Sequence, residues 1–186
     1  MVSITALWLP ILLAAVVVFI ASSIMHMVLP YHKSDYRKLP DEERVTDALR
    51  AAGVTRGPVY HFPHSTHKDM KSPETIEKFK RGPVGLLTIF PSGPPAMGKF
   101  LGLWFGLCLL ISVVVGCFAG ATHGPGAEHH EIFHFFAVTA FLAYGFGNFQ
   151  DSIWKGQTWV VTLKHLFDAA IYALLTAETF SLLWPK

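Results

Sequence analysis

The chain has 186 residues, of which 52% are hydrophobic and only 15% charged, with a mean hydropathy of +0.40 and a formal net charge of +2. An average soluble domain carries roughly 25% charged residues, so the apolar excess belongs in lipid, and the small charge with interleaved acids and bases excludes nucleic acid as a partner. Two cysteines, Cys108 and Cys117, sit in one apolar stretch and point to different faces of a helix, which excludes a disulfide framework.

Four apolar stretches predict transmembrane helices at about 4–29, 100–121, 132–149 and 159–184, each long enough for a ~30 Å hydrocarbon core. The expected fold is an all-α membrane protein with four transmembrane helices in a single membrane domain, 1–186, and the lipid bilayer is its first partner. The first stretch has no charge before His26 and exceeds the apolar core of a signal peptide, so it is expected to be retained as a helix. Pro10 falls near its first turns.

Between the first and second stretches lies a polar loop, 31–97, that holds 11 of the 15 Lys and Arg residues. The positive-inside rule makes this loop cytoplasmic and turns both termini outward. The connection 121–131 has no Lys or Arg, and 150–158 has only Lys155. The loop is expected to be partly structured. Pro40, Asp41 and Glu42 open a helix that stops at Gly53, and Ser72-Pro73-Glu74 opens a second that ends near Arg81. Val59–Phe62 and Val84–Phe90 read as short strands, and Pro91-Ser92-Gly93-Pro94-Pro95 makes a stiff approach to the second membrane helix.

That helix carries Gly98, Gly102, Gly106, Gly116 and Gly120, with the 98/102/106 set the best seam for close helix approach, within the chain or toward another subunit. The third begins with His130-Glu131-Ile132-Phe133-His134, an H-E-x-x-H pattern in which two histidines one turn apart hold zinc and the Glu acts as general base. A catalytic zinc needs a third ligand, and Glu178 near the same end of the last helix is the natural candidate, with His123, Glu128 and His129 as alternatives. A cluster of histidines and acids at a helix start also reads simply as a solvated cap.

The fourth stretch buries Lys164, His165 and Asp168. Asp168 lies roughly 13 Å along the helix from Trp159, too deep to be unpartnered in lipid. Lys164 and Asp168 are one turn apart and are expected to neutralise each other, with Tyr172, Thr176 and Thr179 continuing a polar stripe. His26, Asn148 and Asp151 are expected to meet this stripe. Such a cluster serves as a proton relay, a quinone or headgroup pocket, or a haem site between His26 and His165, or else as internal hydrogen bonding that fixes helix neighbours. His61, His64 and His67 recur every third residue, but Pro63 removes the helix that would align them. The tryptophans read as interfacial anchors.

The run Leu29-Pro30-Tyr31-His32-Lys33-Ser34-Asp35-Tyr36-Arg37-Lys38-Leu39-Pro40-Asp41-Glu42, with Gly82–Thr88, Met97-Gly98-Lys99, Asp151–Trp154, Thr162–Asp168 and Ile171–Ala177 to Pro185, resembles a family of small four-helix bacterial integral membrane proteins with no known activity. The resemblance implies the four-helix fold and draws attention to Lys164, His165 and Asp168. It does not include His130–His134.

Three functions follow as expectations. The first is a non-catalytic accessory or assembly subunit of a larger energy-transducing or transport complex, partnered by other membrane subunits. The second is a small redox, quinone or proton-handling protein using His26, Lys164, His165 and Asp168, with haem as one cofactor. The third is a zinc metallohydrolase using His130, His134 and Glu178 as ligands and Glu131 as catalytic base.

Overall fold

The structure, a computed structural model, describes residues 1–57 and 59–186. The chain is mostly helical and divides into two compact units, one of residues 1–35 with 96–186 and one of residues 36–95.

The first unit contains four helices long and apolar enough to cross a bilayer: Ile4–Val28, Met97–Thr122, His129–Trp154 and Trp159–Leu182. The protein is therefore an integral membrane protein. The first span is α1 (Trp8–Ser23), preceded by a 3-10 turn at Ile4–Leu7 and continued by a π-helical turn at Ile24–Val28. Three polar or charged residues in this span, Ser22, Ser23 and His26, gather at its end. The second span is α4 (Met97–Thr122). The third opens as α5 (His129–Gly145), whose start lies three residues before the predicted one because Glu128 is extended and serves as its N-cap. It breaks where glycines flank Phe146 and resumes as the short α6 (Asn148–Trp154). The last is α7 (Trp159–Leu182).

The core follows from small and aromatic residues facing inward. Phe136 of α5 stacks on Phe180 of α7 at 3.9 Å, both fully buried, among Leu7, Ile11, Ala119, Ile132 and Ala177. A Cβ on Gly145 would meet the Ala169 and Leu166 side chains at 3.2 Å, so this glycine sets the approach of α5 to α7. Gly120 is tighter still: a Cβ there would lie 2.5 Å from the Val2 carbonyl, while Val2 N–H donates to the Gly120 carbonyl at 2.7 Å. The predicted seam of Gly98, Gly102 and Gly106 behaves differently, because a Cβ at any of them would meet nothing within 4 Å. Leu103, Leu107, Leu110, Val114 and Phe118 of the same helix are exposed, as side chains bathed in lipid are.

The second unit carries α2 (Glu42–Ala51), β1 (Tyr60–Phe62), α3 (Pro73–Arg81) and β2 (Gly85–Leu87). The strands pair antiparallel with His61 opposite Leu86 and Phe62 opposite Gly85. Ser72 caps α3 by accepting the Thr75 N–H at 3.2 Å, Pro73 follows it at the first helical position, and Gly82 at φ +58° ends it. Glu74 pairs with Lys78 one turn on, which holds its carboxyl below the usual value.

Candidate functional site

The site forms where α1 ends, α4 begins, α5 gives way to α6 and α7 runs inward. Its centre is Asp168, 2% exposed on a helix that is otherwise mostly apolar. A carboxylate so placed must be met by donors, and most of them come from the segment that follows α1. The π turn ends with Leu29 N–H donating to the Ile24 carbonyl at 3.1 Å. Leu29 then turns extended, as the residue before a proline does, and Pro30–Ser34 form a tight 3-10 turn. This places Tyr31, His32, Ser34 and Asp35 against Lys164 and Asp168 of α7.

A connected set of contacts defines the centre. Tyr31 Oη donates to Asp168 Oδ1. His32 Nε2 faces Asp168 Oδ2 at 2.9 Å, and its Nδ1 faces Asp35 Oδ2 at 2.6 Å. Lys164 Nζ donates to Asp35 Oδ1 and the Tyr31 carbonyl, both at 2.6 Å, and to Ser34 Oγ at 2.8 Å. His26 Nε2 and His165 Nδ1 stand 3.8 and 3.9 Å from Asp168 Oδ2. Lys164 therefore neutralises Asp35 rather than Asp168. The i,i+4 expectation fails because the loop offers Lys164 three oxygens at once, while Asp168 is taken by Tyr31 and His32.

Burial and charge act together on the loop groups. Burial raises the Asp35 carboxyl, but hydrogen bonds and charge from Lys164 and His32 outweigh it and hold it below its ordinary value. Burial, with the hydrogen bond and charge of Asp168, pushes the Tyr31 phenol up, so Tyr31 remains a donor.

One ligand atom from each of His26, His32, His165 and Asp168 lies within 4.8 Å of the other three, the only such gathering of His, Cys, Asp and Glu among the described residues. The opposite atom of three of them is already occupied. His26 Nδ1–H donates to the Ser22 carbonyl at 3.1 Å, His32 Nδ1 is held by Asp35, and Asp168 Oδ1 by Tyr31. This is the outer support found around metal ligands, where the far ring nitrogen bonds a carboxylate or backbone carbonyl and fixes the ring. Three imidazoles and a carboxylate suit zinc and other first-row divalent ions. Haem does not fit: His32 stacks on His26 at 4.2 Å and lies 5.5 Å from His165, leaving no slot for a macrocycle between them.

The centre opens on a cavity of about 450 Å³ lined by Ser22, Ser23, His26, Asn148, His165 and Asp168 on its polar side. Trp104, Tyr144, Tyr172, Phe100, Leu101, Met27 and Met97 make the rest of its wall. Trp104 Nε1 donates to Ser22 Oγ at 2.7 Å, fixing the indole. Asn148 lines the cavity as expected, whereas Asp151 pairs with Lys155 at 2.6 Å and stands outside it. Thr176 and Thr179 bond their own helix carbonyls.

The H-E-x-x-H residues stay apart from this site, at the opposite end of the bundle. Glu178 approaches His129 at 3.8 Å, His130 pairs with Glu128 at 3.2 Å, and His134 Nδ1 turns back to the His130 carbonyl at 2.8 Å. His130 and His134 with Glu178 do not converge, because Glu178 is taken by the histidine one residue earlier. Glu131 remains exposed on the first turn of α5. His61, His64 and His67 form no ligand group either.

Sequence reasoning selected His26, Lys164, His165 and Asp168 but missed Tyr31, His32 and Asp35. The signal available for them was the His-x-x-Asp spacing directly after a helix-ending proline, which lets the acid bond the ring. No protein-family model, curated protein or solved structure matches the chain.

Proposed function

We propose that this is a small membrane metalloprotein in which His26, His32, His165 and Asp168 hold one divalent first-row transition ion at the end of a cavity within the bundle. It is the redox, quinone or proton-handling reading of the inner cluster, given a metal as its centre. The carrying observation is the set of outer partners: Asp35, the Ser22 carbonyl and Tyr31 each occupy the ligand atom that would not face an ion. Hydrogen bonding merely to fix helix neighbours does not require three histidines aimed at one carboxylate. Tetrahedral ligands at ~2.0–2.1 Å stand about 3.4 Å apart, so on entry of an ion His32 Nε2 and Asp168 Oδ2, now 2.9 Å apart, open slightly, while His26 and His165, at 3.8 and 3.9 Å from Asp168, draw in.

The test is titration of the chelator-stripped full chain, in mild detergent, with Zn²⁺ and with Co²⁺ as a spectroscopic stand-in. One ion per chain and the visible bands of a nitrogen-rich four-coordinate cobalt site are expected. Both should be lost in His165→Ala with helicity retained. A folded chain that takes up no stoichiometric metal, or His165→Ala binding like the parent, overturns the reading.

A second reading has its own support. The open face of Gly98, Gly102 and Gly106 lies beside exposed Phe100, Leu103 and Leu107, which favours contact with another membrane subunit of a larger complex. Native mass spectrometry of the protein taken from its own membranes separates the two, since it reports bound subunits and bound metal together. In either reading we place the 31–97 loop on the cytoplasmic side of a bacterial inner membrane with both termini outward, on the strength of its basic residues.

A further inference from the structure

We infer that the extended segment 84–90 and the basic residues around α3 seat on the headgroup layer of an anionic bilayer leaflet. The inference stands apart from the ion site and uses residues of the second unit alone.

The second unit has secondary structure without a core. Among its described residues only Thr75 is buried, and no apolar side chain is. Two short helices and a ribbon of two three-residue strands are too small to enclose a hydrophobic interior, so their apolar groups need a cover from outside. The longest run of these groups is ordered. Along 84–90, Val84, Leu86, Thr88 and Phe90 are exposed, Phe90 at 73%, while Gly85, Leu87 and Ile89 between them are half-buried. Extended chain alternates in this way when one side is covered and the other is not. The covered side is already filled, since a Cβ on Gly85 would meet the Phe62 ring at 3.0 Å. The apolar side is the open one.

Charge and chain connectivity together select the cover. The unit carries ten Lys and Arg against seven Asp and Glu. Lys38, Arg50 and Lys78 pair with acids, but Lys68, Lys71, Lys80 and Arg81, before α3 and at its end, have no acidic partner among the described residues. Lysine is depleted from protein–protein interfaces, whereas free Lys and Arg beside Phe and Leu are the composition of segments that lie on anionic membranes. The chain supplies such a surface at both ends of the unit. Residues 36–95 run from the turn that follows the first span to α4, and six residues separate Phe90 from Met97 at the start of α4. Fully extended, that link holds Phe90 within about 25 Å of the end of a membrane span. A leaflet is always within reach.

The test is spin-label accessibility in the full chain carrying Cys108→Ala and Cys117→Ser, reconstituted in nanodiscs at one chain per disc. The label is placed by Thr88→Cys, which probes the open side without removing an apolar anchor, or by Glu43→Cys, a position whose own carboxylate an anionic leaflet repels. In phosphatidylglycerol discs at low salt, the label at 88 should be reached by oxygen in preference to a water-soluble nickel chelate, and the label at 43 should show the reverse. The preference at 88 should fade at about 1 M salt, where the Debye length is about 3 Å, and in discs of phosphatidylcholine alone. Lys80→Gln with Arg81→Gln should lower the seated population relative to the free one by about 25-fold, at about fivefold for each base. The salt and lipid comparisons keep every charge of the unit, so they decide the matter even where the charge variant fails to fold. A label at 88 as open to the nickel chelate as the label at 43 leaves the face to a protein partner and overturns the inference. Equal seating in phosphatidylcholine, or indifference to salt, overturns it too, because the contact would then owe nothing to lipid charge. So does a preference for oxygen that arises only in discs holding two chains, with dipolar broadening between their labels, since the cover is then a second copy.

Discussion

Asp35 touches no ion in the proposed site, yet Asp35→Asn should weaken metal binding. The Asp35 carboxylate is 5% exposed and uses both oxygens, one on His32 Nδ1 at 2.6 Å and one on Lys164 at 2.6 Å. An amide keeps one acceptor and puts an N–H₂ in place of the other oxygen, so it satisfies His32 or Lys164 but not both. Loss of such an outer partner lowers metal affinity by about 10- to 100-fold, or about 1.4–2.7 kcal/mol. It also leaves the Lys164 ammonium without its counter-charge, which destabilises the fold by about 1–3 kcal/mol. The two effects are separated by Lys164→Met, which breaks the other half of the same contacts. Removing a positive charge beside a cation site strengthens its attraction for the ion, so Lys164→Met should lower thermal stability while leaving metal affinity unchanged or higher. The assay is competition against a fluorescent zinc chelator, with circular dichroism melting in parallel. Opposite signs for affinity in the two variants support the orienting role of Asp35. Equal losses in both, or an Asp35→Asn affinity within about threefold of the parent, a difference of only about 0.6 kcal/mol, would refute it.

Stripping the ion with a chelator should lower the melting temperature, because a ligand at a hundredfold its dissociation constant contributes about 2.7 kcal/mol to the folded state; His165→Ala should melt alike with and without zinc. Gly120→Ala should destabilise the chain by about 1–3 kcal/mol, since its Cβ would fall 2.5 Å from the Val2 carbonyl, whereas Gly102→Ala should leave the isolated chain's melting unchanged; thermal scans of both in one detergent check this. Gly102→Ile should abolish association with any partner subunit seen by native mass spectrometry while leaving zinc uptake intact. Phe136→Ala removes a fully buried ring stacked at 3.9 Å on Phe180 and should cost about 3–5 kcal/mol, read as a lower melting temperature with metal stoichiometry retained.

The four spans were legible because length and apolarity are properties of composition; the third moved most, where Glu128 caps its start and glycines flank Phe146, while the second begins three residues earlier than expected at Met97 and the last ends two earlier at Leu182. The α7 and α1 members of the site were legible for a related reason. A His, Lys or Asp inside a hydrocarbon-length stretch is costly enough to announce itself, and His26, Lys164, His165 and Asp168 all did so. Tyr31, His32 and Asp35 did not, because polar residues in a loop cost nothing and carry no such signal. What brings them to α7 is a backbone path, the π turn at Ile24–Val28 followed by the turn at Pro30, and no periodicity encodes it. The glycines make the same point from the other side. A small-x-x-x-small spacing marks a face that permits close approach, but whether that face meets the chain itself depends on the rotation of the helix. Here Gly116, Gly120 and Gly145 are turned inward and Gly98, Gly102 and Gly106 are not.

The exchange of partners between Lys164 and Asp168 carries the physical core of the site. Had they paired along one helix turn, α7 would hold a closed, self-neutral dipole and the 29–35 segment would have nothing to bind. Because Lys164 instead reaches Asp35, Ser34 and the Tyr31 carbonyl, it pins that segment to α7, and Asp168 is left with only hydrogen-bonding neutral and histidine partners. A buried carboxylate surrounded by three imidazoles, with its own lysine diverted elsewhere, has an anionic oxygen and ring nitrogens directed to one point and no fixed cation among them. Such a donor set is favourable for a metal ion and unfavourable as a purely structural ion pair, which would have kept the lysine. Lys164 therefore acts from outside the donor set, as the counter-charge of Asp35 and a tie between the 29–35 segment and α7, while the orientation of His32 rests on its own bond to Asp35.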